Sequence, residues 1–223
     1  MNKMRQLIVI PARLSSWRFP NKPLTDLLSM PMFEHVYRRS ELVANIDDIV
    51  LALCDKELYD IAVNKGMKAI MTSNEHKTAC ERVAEASQIM GYTSHDDIVI
   101  NVQADEPVVP PPVIEMTRDL LLSKNTNNCA NLVEHITDTN ELNNRHRVKA
   151  ILSVNNNLIF LSRESVPSTF FDINKLTTFY RLTCITAYRG PFLQQYCKLS
   201  RTPIELIEGN DMMRVIEHDI QIP

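Results

Sequence analysis

Val9-Ile10-Pro11-Ala12-Arg13-Leu14-Ser15-Ser16-Trp17-Arg18-Phe19-Pro20-Asn21-Lys22-Pro23-Leu24 decides how the rest of this chain is read. The stretch grows out of an unbroken apolar run at residues 7–10, the mark of a parallel strand buried on both faces. Pro11 is expected to end that strand. Arg13, Arg18 and Lys22 follow in a loop that resists helix, because Pro20 and Pro23 push the residues before them out of the α region. A single arginine in such a loop is ordinarily just solvated. Three cations directly after a first buried strand point further, since open α/β sheets bind ligands at the carboxyl ends of their strands. The composition is that of a loop that handles phosphate.

Outward from that loop, residues 32–44 carry apolar side chains at helical spacing (Phe33, Val36, Leu42, Val43), and Asp47-Asp48 precedes a second strand at 49–53. A helix at 56–65 should stop at Gly66, a natural C-terminal residue. A third strand is expected at 68–71, a helix at 78–90 ending before Gly91, and a fourth buried strand at 98–102. Strand, helix, strand, helix, strand in that order predicts a parallel sheet with crossover helices. Beyond Pro107 the pattern changes. A helix at 113–122 is followed by strands at 129–133, 148–154, 158–162 and 182–188, with Asn155-Asn156-Asn157 as a hairpin turn. Residues 203–218 read as helical with a break at Gly209. The fold class is therefore α/β, with a mixed, largely parallel central sheet and flanking helices. It is expected to form a single domain over residues 1–223, with a hairpin subregion at about 150–185.

At 223 residues and 44% hydrophobic content the chain can bury a sizeable core. A net charge of −3 excludes a general polyanion binder, and nothing resembles a nucleic-acid module. The charge is uneven: residues 1–39 hold seven Lys or Arg against Asp26 and Glu34, so the negative excess lies wholly in the remainder. A small anionic ligand near the N-terminus accounts for that distribution; chance clustering is the alternative. Five cysteines, with no pair at metal-ligand or redox spacing, predict reduced thiols and a cytoplasmic location. No signal-peptide pattern and no apolar run of bilayer length are expected. The asparagine-rich stretches at 125–128, 140–144 and 155–157 read as surface turns.

Asn101-Val102-Gln103-Ala104-Asp105-Glu106-Pro107 closes the fourth strand with two adjacent carboxylates. Glu106 reads as an ordinary turn residue. Asp105 is aimed at the ligand edge, where one carboxylate together with substrate phosphates is what a hard cation such as Mg²⁺ takes.

Taken together, Pro11-Ala12-Arg13, Arg18, Pro20, Lys22-Pro23-Leu24, Pro31-Met32, His35-Val36, Arg38, Glu81-Arg82, Gln103 with Asp105-Glu106-Pro107, Val148-Lys149 and Ser162-Arg163 resemble the CMP-Kdo synthetases in order and spacing. These are the 3-deoxy-manno-octulosonate cytidylyltransferases, and the likeness runs from about Leu7 to the end of the chain. The resemblance implies a nucleotide-diphospho-sugar transferase-like fold with a hairpin insertion for dimerisation and sugar binding, and a homodimer built around residues 150–185. It implies a reaction in which the anomeric hydroxyl of Kdo attacks the α-phosphorus of CTP. Pyrophosphate leaves, and CMP-Kdo forms for lipopolysaccharide or capsule synthesis. Carried over by position, Lys22 and Asp105 are the catalytic residues, and Asp105 holds Mg²⁺. Arg13, Ser16, Arg18, Lys22, Arg82 and Gln103 bind the nucleotide. Gln103, Arg163, Glu205, Glu208 and Asp211 face the acidic sugar. Such a reaction asks mainly for positioning and for cations set against developing charge.

The chain also departs from the family. Ser15, Trp17, Asn21, Ala79, Ala104, Cys184 and Ala187 stand where small residues or glycine are usual, and a Cβ there can obstruct close approach of backbone to a phosphate or base. Leu182 and Thr186 stand where the family has a histidine and a tyrosine on its sugar-binding strand. The family's Gly-Val-Asp segment, with a second metal aspartate, falls beyond Pro223. These departures keep open a related sugar acid such as an 8-amino Kdo as substrate, or a non-catalytic nucleotide-binding relative. Among single residues, His76 is expected in a polar helix-start loop, Cys80 and Met212-Met213 in the core, and Arg38-Arg39 on a solvated helix face. Trp17 reads equally as a stacking or a packing residue.

Overall fold

The computed structural model describes residues 4–15, 19–168 and 179–223. Strand β1 (Arg5–Ala12) extends past its apolar run at both ends, and Pro11 lies inside it rather than ending it. The reason is local: pairing with the neighbour on one side stops at Val9, so Pro11, paired only toward Ala52, removes a donor where one edge has already let go. A 3₁₀ turn, Lys22–Leu24, then precedes a two-strand ribbon of β2 (Asp26–Leu27) and β3 (Met30–Pro31). Leu28 and Ser29 at its tip both take positive φ, and the Asp26 carboxylate accepts from Ser29 N at 3.0 Å.

Helix α1 (Met32–Ser40) stops four residues short of expectation. The order then runs β4 (Asp48–Leu53), α2 (Lys56–Asn64), β5 (Ala69–Met71), α3 (Ala79–Ile89), β6 (Asp97–Val102). Gly66 and Gly91 follow α2 and α3 at φ +73° and +75°, the left-handed turn that glycine takes without strain. These strands form the parallel half of the sheet in the order β5-β4-β1-β6. Leu7 and Val9 of β1 face one apolar layer, with Val83 and Tyr188, while Ile8 and Ile10 face the other, with Phe33 and Leu58. Burial on both faces is why this half reads as continuous apolar runs.

The second half is antiparallel: α4 (Pro111–Leu122), β7 (Cys129–His135), α5 (Thr139–Leu142), β8 (Lys149–Leu152), β9 (Leu158–Ser162) and β10 (Tyr180–Arg189). β8 and β9 form the expected hairpin, with Asn156 at φ 60° in its turn. The long strand β10 organises this half. One edge pairs with β7 throughout, except for a register shift between Leu182 and Thr186. The other edge is shared: β6 pairs over Ile185 to Arg189 and β8 over Tyr180 and Arg181. Between those partners Thr183 and Cys184 are left open, and the cleft forms there. The chain closes with α6 (Gly190–Tyr196), α7 (Pro203–Glu208) and α8 (Met212–Glu217), with Gly209 at φ +60° making the expected break.

Candidate active site

A cleft of about 990 Å³ opens where β1 and β6 end and continues along β10. One side of it is built by the first loop. Leu14 N donates to Asp55 Oδ2 at 2.8 Å, and Asn21 N donates to Leu14 O at 3.1 Å, so Leu14 is tied both to Asn21 and to the residue two past the end of β4. Arg13 and Lys22 therefore project into the cleft from anchored backbone. Lys22 Nζ meets Asp105 Oδ2 at 2.6 Å.

Helix α3 begins at the cleft. Thr78 and Glu81 form a reciprocal capping box, which fixes the helix start. One turn in, Arg82 is 3% exposed, and its guanidinium donates to Thr72 Oγ1 at 2.5 Å and Ser73 O at 3.1 Å. His76 lines the same wall with its Nε2 2.5 Å from Glu85 Oε2, and Ser73 N donates to that same oxygen at 2.8 Å. Burial alone would raise the Glu85 pKa, but these two hydrogen bonds outweigh it and hold the carboxyl below its ordinary value. The loop that carries His76 is thus a structured part of the cleft wall.

The far end is held by Lys149, which is fully buried on β8. Its three ammonium protons go to Asn144 O, Arg147 O and Arg163 O at 3.0, 2.8 and 2.5 Å. Burial lowers the Lys149 pKa. Arg163 is held from a second direction, donating from Nε to Glu208 O at 2.7 Å, while the Glu208 carboxylate accepts from Arg163 N and Ser162 Oγ. Asp211 lines the cleft beside Met212, and burial pushes its carboxyl pKa up.

Arg13, Lys22, Arg82, Gln103, Asp105, Arg163 and Asp211 are thus brought to one cleft. Ser16, Trp17 and Arg18 lie outside the described residues. Glu208 does not line the cleft; it holds Arg163 in place instead. Glu205 does not line the cleft either. It is 1% exposed and ion-paired with Arg214 at 2.6 Å and Arg201 at 3.0 Å, because its reach-back to Thr202 N at the start of α7 turns it into the interior. The other single-residue readings hold: Cys80 and Met213 are core residues, and Arg38 and Arg39 bond away from the cleft, to Lys65 O and Val109 O. Ser15, Ala79, Ala104, Leu182, Cys184 and Thr186, all departures in the sequence, line the cleft. Asn101, Asn131 and Arg147 also line it and were not singled out by sequence, and His76, expected in a polar helix-start loop, lines it too; for Asn101 the signal was its place two residues before Gln103, at the end of β6.

Asp105 has the chemistry to help hold a hard cation. It is an exposed carboxylate just past the end of β6, in contact with Lys22 and lining the same cleft as Arg13. Among the described residues no cluster of three or more His, Cys, Asp or Glu could hold a metal unaided, so substrate oxygens would complete the shell. No helix among the described residues is long and apolar enough to cross a membrane.

The cytidylyltransferase family model matches residues 7–222. The chain is 37% identical over 220 residues to the 3-deoxy-manno-octulosonate cytidylyltransferase of Francisella tularensis subsp. holarctica (strain LVS), covering 96% of this chain and 87% of that one. It is 34% identical over 217 residues to the protein of the same name from Coxiella burnetii (strain Dugway 5J108-111), covering 95% and 86%. Its fold superposes on a solved structure of CMP:2-keto-3-deoxy-manno-octonic acid synthetase complexed with CTP, with a TM-score of 0.86 and 30% identity, over 98% of this chain and 88% of that one. The fold alone is shared with 4-diphosphocytidyl-2C-methyl-D-erythritol synthase, at a TM-score of 0.63 and 10% identity, covering 99% of this chain and 87% of that one. With its cationic loop and acidic strand end assembled in one cleft and the match spanning nearly its whole length, the chain belongs to the cytidylyltransferase family.

Proposed function

We propose that this chain activates Kdo with CTP, forming CMP-Kdo and pyrophosphate. The observation that carries the reading is the pairing of a cationic first loop with Asp105 across one cleft, in a chain whose relatives bear that activity by name. The anomeric hydroxyl oxygen of the sugar forms a bond to the α-phosphorus of CTP and gives up its proton to solvent. The bond from that phosphorus to the bridging oxygen breaks, and pyrophosphate carries away the electron pair. Arg13 and Lys22 compensate charge on the triphosphate, Arg82 and Gln103 orient the nucleotide, and Arg163 and Asp211 face the sugar. Ser16 and Arg18 remain assigned to the nucleotide by the family resemblance. Mg²⁺, held by Asp105 and phosphate oxygens, supplies Lewis-acid stabilisation of the phosphate charge when bound.

The same reading carries a homodimer through the region at about residues 150–185 and a cytoplasmic location, the latter supported by five cysteines without a disulfide. A second reading keeps the reaction and changes the sugar to a related acid such as an 8-amino Kdo. It is favoured by Leu182 and Thr186, which place different side chains on the cleft face of β10. Incubation with CTP, Mg²⁺ and either Kdo or its 8-amino form, with the product identified by mass, tests both. A CMP adduct of Kdo is expected. An adduct of the amino sugar alone selects the second reading, and no adduct with either sugar contradicts both.

A further inference from the structure

Every residue of β6 from Ile98 to Val102 is apolar except one. Asn101 interrupts the run where a valine or isoleucine would pack and pair better. It is 5% exposed and lies on the cleft floor; its Oδ1 is enclosed without a hydrogen-bond partner, and no described residue bonds its side-chain amide. An orphan of this kind costs stability in the free protein, so its presence calls for a partner that the folded chain alone does not supply.

The neighbours show why none is supplied from within. Asn101 is in register with Thr186 on β10, and Thr186 with Asn131 on β7, so three polar side chains form one row across three strands. Each is at least nine-tenths buried. Asn131 Nδ2 donates to Ile185 O at 2.7 Å and Thr183 O at 3.1 Å, both of which are acceptors only, and this fixes the amide with its Oδ1 toward Thr186. At 3.1 Å the Thr186 hydroxyl must therefore donate to Asn131 Oδ1. Its single proton is spent, and it has none to give Asn101.

We propose that Asn101 is a specificity-determining residue whose Oδ1 accepts a hydrogen bond from a hydroxyl of the acidic sugar. Asn101 stands between Val9 of β1 and Thr186 of β10, and the row continues from it onto β10 and β7, where Leu182 and Thr183 also line the cleft, so the group it reads is assigned to the sugar. Asn131 and Thr186 act as positioning residues: they bond each other and the β10 backbone and leave the Asn101 acceptor without a partner. This inference rests on the cytidylyl-transfer reading above.

The test is a cycle between Asn101→Leu and a set of monodeoxy forms of the sugar acid, read as kcat/KM for the sugar at saturating CTP. The variant is expected to lose about 10- to 100-fold in kcat/KM for the full sugar. Its CTP affinity should stay within about threefold of wild type, and its melting temperature should not fall, because the orphan amide is gone. One monodeoxy sugar should lose as much on wild type and lose nothing further on the variant. Unchanged kcat/KM in the variant, an equal loss in CTP affinity, or losses that simply add for every deoxy sugar would overturn the assignment. If the leucine variant does not fold, Asn101→Ser carries the same cycle. A wild type with no turnover would overturn the functional reading itself; a wild type that turns over beside an equally active variant overturns this inference alone.

Discussion

Lys22 Nζ lies 2.6 Å from Asp105 Oδ2, joining the end of the first loop to the carboxyl end of β6 across 83 residues of sequence. The two side chains are 37% and 45% exposed, so the pair contributes only about 0–1 kcal/mol to stability. Its significance is positional. In the proposed function each charge is held by the other until a stronger partner arrives, a phosphate for Lys22 and a cation for Asp105.

Lys22→Ala should therefore leave the melting temperature nearly unchanged while weakening CTP binding. A charge-assisted contact to phosphate is worth about 1.5–3 kcal/mol, or roughly 10- to 100-fold in affinity. Titration calorimetry with CTP on both proteins measures it. Undiminished affinity would show Lys22 to be a solvated surface lysine.

CTP with Mg²⁺ should stabilise the protein against heat more than ATP or GTP does. At about 100 times its dissociation constant a ligand of the native state adds about 2.7 kcal/mol, a shift visible in a melting curve. Equal shifts with all three nucleotides would count against cytidine selectivity.

Glu205→Gln should destabilise the fold by about 3–5 kcal/mol, because it leaves Arg214, which is 2% exposed, without its buried counter-charge. Burial works against ionisation of Glu205, but hydrogen bonds from Arg214 and Arg201 prevail and hold its pKa below the ordinary 4.5. A lowered folded-state pKa gives stability that is fully present above about pH 4.5 and is lost as the pH falls through the folded value. Denaturant melts from pH 7 down to pH 3 should show the wild-type advantage shrinking only below about pH 4.5. An advantage that is constant with pH would contradict the ionic account.

Lys149→Met should cost about 1–3 kcal/mol in stability by stripping buried carbonyls of their donor. It should also raise KM for the sugar while leaving the CTP dissociation constant unchanged, since Asn144 O, Arg147 O and Arg163 O all lie at the far end of the cleft. A purely structural lysine would not separate the two ligands.

The parallel half was legible because strands buried on both faces must be apolar throughout, and because Gly66 and Gly91 mark helix ends at positive φ. The β2–β3 ribbon was not, since Leu28 and Ser29 are poor residues for a turn with two positive φ angles. Helix α6 was hidden behind Gly190-Pro191, which reads as a break. Proline is tolerated in a first turn, and Gly190 is there because a Cβ would meet Ser94 O at 2.8 Å. In the site, Lys22 and Asp105 were legible from their strand ends. Glu205 was misread as a sugar contact although Thr202-x-x-Glu205 is a capping-box spacing that turns the carboxylate toward its own helix start. The buried row of Asn101, Thr186 and Asn131 depends on strand register, which no local pattern in the sequence specifies.

The most direct measurement is pyrophosphate release from CTP, Kdo and Mg²⁺, comparing wild type with Asp105→Asn. Asparagine keeps the shape of the strand end and removes the charge set against the cation, so the loss should fall on the charged transition state more than on CTP binding. The account predicts release by wild type only when both CTP and Kdo are present, and a fall of about 100-fold or more in the variant with CTP still bound. Release by the variant at the wild-type rate would contradict the role of Asp105, and no release by wild type would contradict the account as a whole.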